Sequence, residues 1–196
     1  VYTEKGGASM KCLVCKHEDL REHEITPGLD TKHCDHCGGN WLRFDKYIEW
    51  NRNSYIKFFD IDDEPKEEKK YMEVNDSKNA KLCPDCGTIL TVYKVASNLS
   101  FRIENCASCN GIWFDKNEWE TLKENNLHHQ IHKFFSDSWQ KKLREEERRN
   151  YFEEFYTKKF GKEDYEKVKE VRAWINDNKS KSLLFAYLMN KDPYKL

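Results

Sequence analysis

The chain has almost no surplus charge of either sign. Its 34 basic and 35 acidic side chains leave a formal charge of −1 over 196 residues. Phosphate backbones are held by an excess of Lys and Arg, so this balance weighs against a broad nucleic-acid surface and leaves only a local basic patch open to that role. Long apolar runs are missing too: nothing approaches the length of a membrane span, and no hydrophobic signal segment opens the chain. A cytoplasmic protein without a membrane partner is the expectation. No phosphate-binding loop is present. Apolar content is modest at 38% while aromatics reach 14%, which excludes a disordered chain but not thin cores. Units of ~40 residues with cores of that kind usually need a metal or disulfides to fold.

The chain also lacks a spare thiol. All eight cysteines fall into four Cys-x-x-Cys pairs: Cys12 with Cys15, Cys34 with Cys37, Cys83 with Cys86 and Cys106 with Cys109. Two such pairs about twenty residues apart read as one four-thiolate metal site. Matching cysteines lie 71 residues apart (83 minus 12) or 72 (106 minus 34), so the site is part of an internal repeat. Four cysteines close a tetrahedron and leave no position for water, which points to two structural Zn2+ ions and away from a catalytic centre. A rubredoxin-like iron site uses the same spacing and is the rival metal. Disulfides are the other alternative, disfavoured by the reducing compartment that the missing signal implies. Each loaded site adds about −2 to the charge.

The residue after the second cysteine of each pair needs a left-handed backbone, so that amide groups point at sulfur. Gly38 and Gly87 occupy that position, and Asn110 is a tolerated substitute. Lys16 departs from the pattern, which makes the site of Cys12, Cys15, Cys34 and Cys37 the less regular of the two. His33 and His36 flank and enter the third pair and are alternative ligands. His128 and His132 would share a helix face at i, i+4 and form a workable metal pair, against the simpler reading of a surface or interface histidine group.

Residues 1–9 match nothing in the repeat and read as a cloning remnant, with Met10 the native start. A first unit over 10–59 contains short strands at Leu20 to Ile25 and Thr31 to His33, around a Pro27-Gly28 turn, and a helix from Asp45. Residues 60–80 are a charged linker. A second unit over 81–127 holds a hairpin of Thr88 to Val95 and Leu99 to Glu104 around Ser97-Asn98, then a strand at Ile112 to Phe114. Asp115 is the expected N-cap of the helix that follows, with Glu118 three residues on. Trp41, Trp113 and Trp119 are expected in the ribbon cores. Residues 128–196 form a helical region. One helix runs from Ser136 to a cap at Gly161, a second begins near Asp164, and Leu183 to Leu188, apolar nearly all round, reads as the buried helix of the set.

Cys83-Pro-Asp-Cys86-Gly87, followed by Cys106-Ala-Ser-Cys109-Asn-Gly111-Ile-Trp113-Phe-Asp115 and Glu118, resembles the bacterial zinc ribbons named after transcription factor IIB. The first unit resembles them at its cysteines and at Gly38-Gly39-Asn-Trp41-Leu42, with Arg43 where the family has Asp. The resemblance covers about half the chain. It implies an α+β fold of two tandem four-cysteine zinc ribbons, each a short antiparallel sheet with a helix, followed by the helical region. It implies no activity, because zinc ribbons bind DNA, RNA, polymerases and other proteins alike. The residues favour a non-enzymatic adaptor or regulator with a protein partner. A transcription-associated nucleic-acid-binding factor is the alternative. A second alternative is an enzyme in the tail built on His128, His132 and Asp137.

Overall fold

A computed structural model of the protein describes residues 10–58, 74 and 79–194. The expectations for residues 1–9 and for most of the 60–80 linker lie outside them. Residues up to Arg144 form one compact unit and Glu145–Leu196 another, the boundary falling inside a helix.

The first unit is built on alternating strands and tight turns. Pro27-Gly28 closes β1 (Arg21–Thr26) onto β2 (Leu29–His33), with Gly28 at φ +79°, a conformation that costs glycine nothing. The Cys34–Cys37 turn then leads into β3 (Asn40–Leu42) and helix α1 (Phe44–Phe58). The second repeat gives β4 (Thr91–Lys94), β5 (Arg102–Asn105), β6 (Ile112–Phe114) and α2 (Glu118–Glu124). β4 and β5 are shorter than the sequence pattern suggests and β2 longer, β6 has the expected bounds, and β3 is a strand the sequence reading did not assign. The α+β architecture of tandem ribbons and C-terminal helices is the one the sequence implies.

The ribbons do not form separate sheets. Six strands make one antiparallel sheet in the order β1-β2-β3-β6-β5-β4, so the second repeat continues the first in reversed order. The register at the join is Asn40 to Phe114, Trp41 to Trp113 and Leu42 to Ile112. Because Trp41 and Trp113 are equivalent in the repeat, an approximate two-fold axis runs between them. Each indole lies over the other ribbon's glycine: a Cβ on Gly39 would collide with the Trp113 ring, and one on Gly111 with the Trp41 ring. Gly-x-Trp is therefore a self-complementary clasp.

Alternation in the strands sorts the core into two layers. On one face, Leu42, Ile112, Phe114, Ile103 and Leu29 meet Tyr47 of α1 and Trp119 and Leu122 of α2. On the other, Trp41 and Trp113 pack with Leu20, Leu90 and the buried cysteines. The three expected core tryptophans, Trp41, Trp113 and Trp119, are all buried. Tyr47 ties the repeats together: its hydroxyl donates to the His128 carbonyl at 3.0 Å and accepts from the Ile131 N–H at 3.2 Å. Asn51 Nδ2 donates to the His129 carbonyl. After α3 (Ile131–Phe134), the start of α4 (Asp137–Phe160) closes over the sheet, with Trp139 Nε1 and Gln140 Nε2 donating to the carbonyls of Val95 and Lys94.

The second unit contains the rest of α4, then α5 (Lys162–Asn176) and α6 (Lys181–Met189). Gly161, at φ +82°, separates α4 from α5 at the expected position. Tyr156 stacks on Phe152, Phe160 and Tyr165. One expectation fails here. Residues Leu183 to Leu188 lie in α6, but no α6 residue is buried, and Leu183 is 71% exposed. An apolar run shows that a helix avoids water; it does not supply the surface that covers it.

The glycine seats predict a coupled stability effect. Gly111→Ala should cost about 1–3 kcal/mol in urea unfolding, through overpacking against Trp41. Trp41→Leu should also destabilise, yet the double variant should lose clearly less than the sum. Strict additivity would contradict the clasp.

Candidate metal centres

Each Cys-x-x-Cys pair sits in a tight turn closed by the same hydrogen bond. The N–H of Lys16, Gly38, Gly87 and Asn110 donates to the carbonyl of Cys12, Cys34, Cys83 and Cys106 respectively, at 2.8–2.9 Å. All four donors have positive φ, between 60° and 76°. Lys16 therefore adopts the same turn despite its side chain, and the irregularity expected there does not change the backbone. The difference lies just beyond: Cys12 N–H reaches Glu18 O, whereas Cys83 N–H reaches Thr88 O, so the first turn loop is one residue longer.

These turns bring Cys12, Cys15, Cys34 and Cys37 together, and separately Cys83, Cys86, Cys106 and Cys109. Within each group all Sγ atoms lie within 4.8 Å of one another. Sγ separations of 3.6 Å (Cys12–Cys37), 3.9 Å (Cys15–Cys34), 3.5 Å (Cys83–Cys109) and 3.4 Å (Cys86–Cys106) bracket the ~3.8 Å edge of a tetrahedron with Zn–S bonds of about 2.3 Å. The donor sets thus fit two Zn2+ ions.

The electrostatics suit a cation. Burial pushes the thiols of Cys37 and Cys83 well above their ordinary range, and burial first among several causes takes Cys15 up to about 11. At the other extreme, the Thr88 hydroxyl and backbone N–H bring Cys86 down to about 6. Thiols this crowded hold protons that a divalent ion must displace, so zinc binding releases protons and strengthens as pH rises.

His33 and His36 do not enter the clusters. His33 Nδ1 lies 3.0 Å from Asn40 Oδ1, and its ring packs on His23. His36 Nδ1 lies 3.1 Å from Cys15 Sγ, outside the four-sulfur set. The proposed pairing of His128 with His132 on one helix face is overturned. His128 lies in the turn before α3 and packs near Trp119, while His132 is exposed on α3. Among the described residues, the two four-cysteine clusters are the groups able to hold a metal.

A buried ion cluster beside the second site was not foreseen. Lys81 Nζ donates to Glu104, and to Asp115 Oδ2 at 3.1 Å, all three side chains being at least 95% buried. Burial alone would lower the Lys81 pKa, but the Glu104 and Asp115 carboxylates outweigh it and hold the ammonium above its ordinary value. Asp115 Oδ1 also accepts from the Trp113 indole at 2.7 Å. The N-cap position of α2 falls at Asn117, two residues after the expected Asp115. The reciprocal bond of a capping box is present, the Asp115 N–H donating to Glu118 Oε2 at 2.8 Å. In the first repeat the equivalent positions are Met10, Lys32 and Arg43. Lysine and aspartate are absent together, which accounts for Arg43 where the family has Asp. The Trp41 indole instead donates to Asp85 Oδ2, across the clasp, at 3.0 Å.

Cys106→Ser should lower bound zinc, measured by plasma mass spectrometry on the purified chain, from two ions to one; retention of two would contradict the ligand set. Lys81→Met should destabilise by about 3–5 kcal/mol, because two buried carboxylates lose their cation. Adding Glu104→Gln and Asp115→Asn to that variant should recover most of the loss in the same denaturation assay.

Residues 82–125 match the family described as transcription factor zinc-finger. No curated protein and no solved structure matches the chain. The matched stretch holds the second four-cysteine cluster, and the first cluster, held by the same turns and joined through the same Gly-x-Trp strand, repeats its ligand set, an arrangement consistent with tandem zinc ribbons.

Proposed function

We propose that the protein is a non-enzymatic adaptor or regulator, in which the zinc ribbons form a rigid platform and the C-terminal helices engage a protein partner. The observation that carries this reading is the exposure of large apolar side chains along residues 145–194. Tyr151, Phe152, Phe155, Val168, Val171 and Trp174 on α4 and α5 are 42% to 63% exposed, and Leu183, Phe185, Tyr187, Leu188 and Met189 of α6 are 43% to 84% exposed. Within this span Ile175 is the one buried hydrophobic residue among those described. Exposed apolar side chains in such number mark interaction sites where they form a patch. Four-thiolate zinc offers no open coordination position, which supports a structural role for both metals.

A reducing compartment such as the cytoplasm suits eight cysteines kept as thiolates. No helix among the described residues is long and apolar enough to cross a membrane. Nucleic-acid binding is the second reading, supported by the family's description alone. Lys and Arg on α4 and α5 alternate with acidic residues, and pairs such as Lys167 with Glu163 neutralise them locally.

Affinity capture from lysate, with and without nuclease, separates the two. A stoichiometric protein that survives nuclease is expected, and Leu183→Glu with Leu188→Glu should abolish its capture while leaving two zinc ions bound. A species lost with nuclease, whose affinity falls steeply with salt, would instead establish the nucleic-acid reading.

A further inference from the structure

The two metal sites share a ligand set and differ in cover. In the first, Cys12 and Cys34 are buried and Cys15 and Cys37 half-buried. The side chain of Lys116, reaching over from the other ribbon, lies on the Cys34–Cys37 turn: a Cβ at Gly38 would come within 3.0–3.2 Å of its Cβ, Cγ and Cδ. His36 covers Cys15 from another side. In the second site, Cys86 and Cys109 are both exposed, and nothing lies within 4 Å of a Cβ built at Gly87.

The repeat explains the difference. The equivalent of Lys116 is Phe44, 72 residues earlier (116 minus 44). A symmetric molecule would lay Phe44 over the Cys106–Cys109 turn as Lys116 lies over Cys34–Cys37. Phe44 instead packs its ring against Tyr47, 6.0 Å between centroids, and joins the hydrophobic core. A cleft of about 550 Å³ is left in that place, with Arg43, Phe44, Asp85, Cys109 and Gly111 among its lining. One cluster is thus shielded by the partner ribbon, while the other opens into a cleft beside one of its sulfurs.

We propose that the second four-cysteine site is an oxidation site for peroxides, with Cys86 and Cys109 the thiolates that react. The Cys86 sulfur attacks one oxygen of hydrogen peroxide. The O–O bond breaks, hydroxide leaves, and Cys86 becomes a sulfenic acid. The Cys109 thiolate then attacks the Cys86 sulfur; an S–S bond forms, the S–O bond breaks, and a second hydroxide leaves. Two thiolates give up two electrons and the peroxide is reduced to two hydroxides, which solvent protonates to water. With two of its four donors consumed, the second site no longer retains its ion. The first site, screened by Lys116 and His36, keeps its own.

The full chain loaded with two zinc ions tests this directly. Hydrogen peroxide is added, zinc release is followed with a chromophoric chelator, and the remaining thiols are alkylated and mapped by mass spectrometry. The expected course is a first phase releasing one zinc per chain, with Cys86 and Cys109 protected from alkylation and Cys12, Cys15, Cys34 and Cys37 still labelled. The second phase should be about tenfold slower. Lys116→Ala, which uncovers the Gly38 turn, should narrow that ratio to about threefold without altering zinc stoichiometry before oxidation. Release of both ions in one phase, first-phase oxidation within Cys12–Cys37, or a ratio unchanged by Lys116→Ala would overturn the proposal.

Discussion

The pairing of β3 with β6 is the constraint on which the rest of the first unit depends. A single ribbon of this kind has three short strands and one helix, too little to bury an apolar face on its own. Joining the ribbons edge to edge removes two strand edges and puts Trp41 and Trp113 at the centre of a continuous sheet. The indoles fit because the opposing residue is glycine in both directions. Metal sites at the turns and helices on the opposite face then anchor to one shared core instead of two marginal ones. Tyr47 and Asn51 reinforce this by bonding the loop that follows the other repeat's helix.

Duplication freed the two halves to diverge around that clasp. One half keeps a buried lysine between two carboxylates beside its metal site. The other replaces that charge cluster with Met10 and with Lys32 and Arg43, which its neighbours do not need to neutralise in the interior. The indoles follow suit, Trp113 bonding within its own ribbon and Trp41 reaching Asp85 across the join. Cover over the metals diverged as well, since a lysine stem shields one turn and its phenylalanine counterpart, half-buried, packs against the core. Two sites with one ligand set therefore have different surroundings, and chemistry at zinc thiolates is governed by surroundings.

The helical unit is organised differently. Its helices are amphipathic or apolar in sequence, yet among the described residues from 145 onward they bury Ile175 alone. Aromatic stacking around Tyr156 holds α4 and α5 locally without closing a core.

What was legible in the sequence is what local geometry decides. Cys-x-x-Cys spacing places two sulfurs on one turn whatever the rest of the chain does, and the 71- and 72-residue offset identifies two such sites. Turns at Pro27-Gly28 and Ser97-Asn98 and the break at Gly161 were legible for the same reason, because each depends on a few adjacent dihedrals. Gly39 and Gly111 stand in the repeat as plainly as the cysteines, but their purpose is the ring of a tryptophan seventy or more residues away. Lys81 stands in the sequence as the first residue after the charged linker and becomes a buried cation only when Glu104 and Asp115 are brought to it. The His128–His132 pair and the burial of α6 misread local periodicity as tertiary placement. Sequence by itself determined the ligands, the turns and the tandem repeat, because those follow from short-range backbone geometry. The shared sheet, the buried charge cluster and the unequal cover of the two metals were decided by tertiary structure, since each arises from packing between residues distant in the chain.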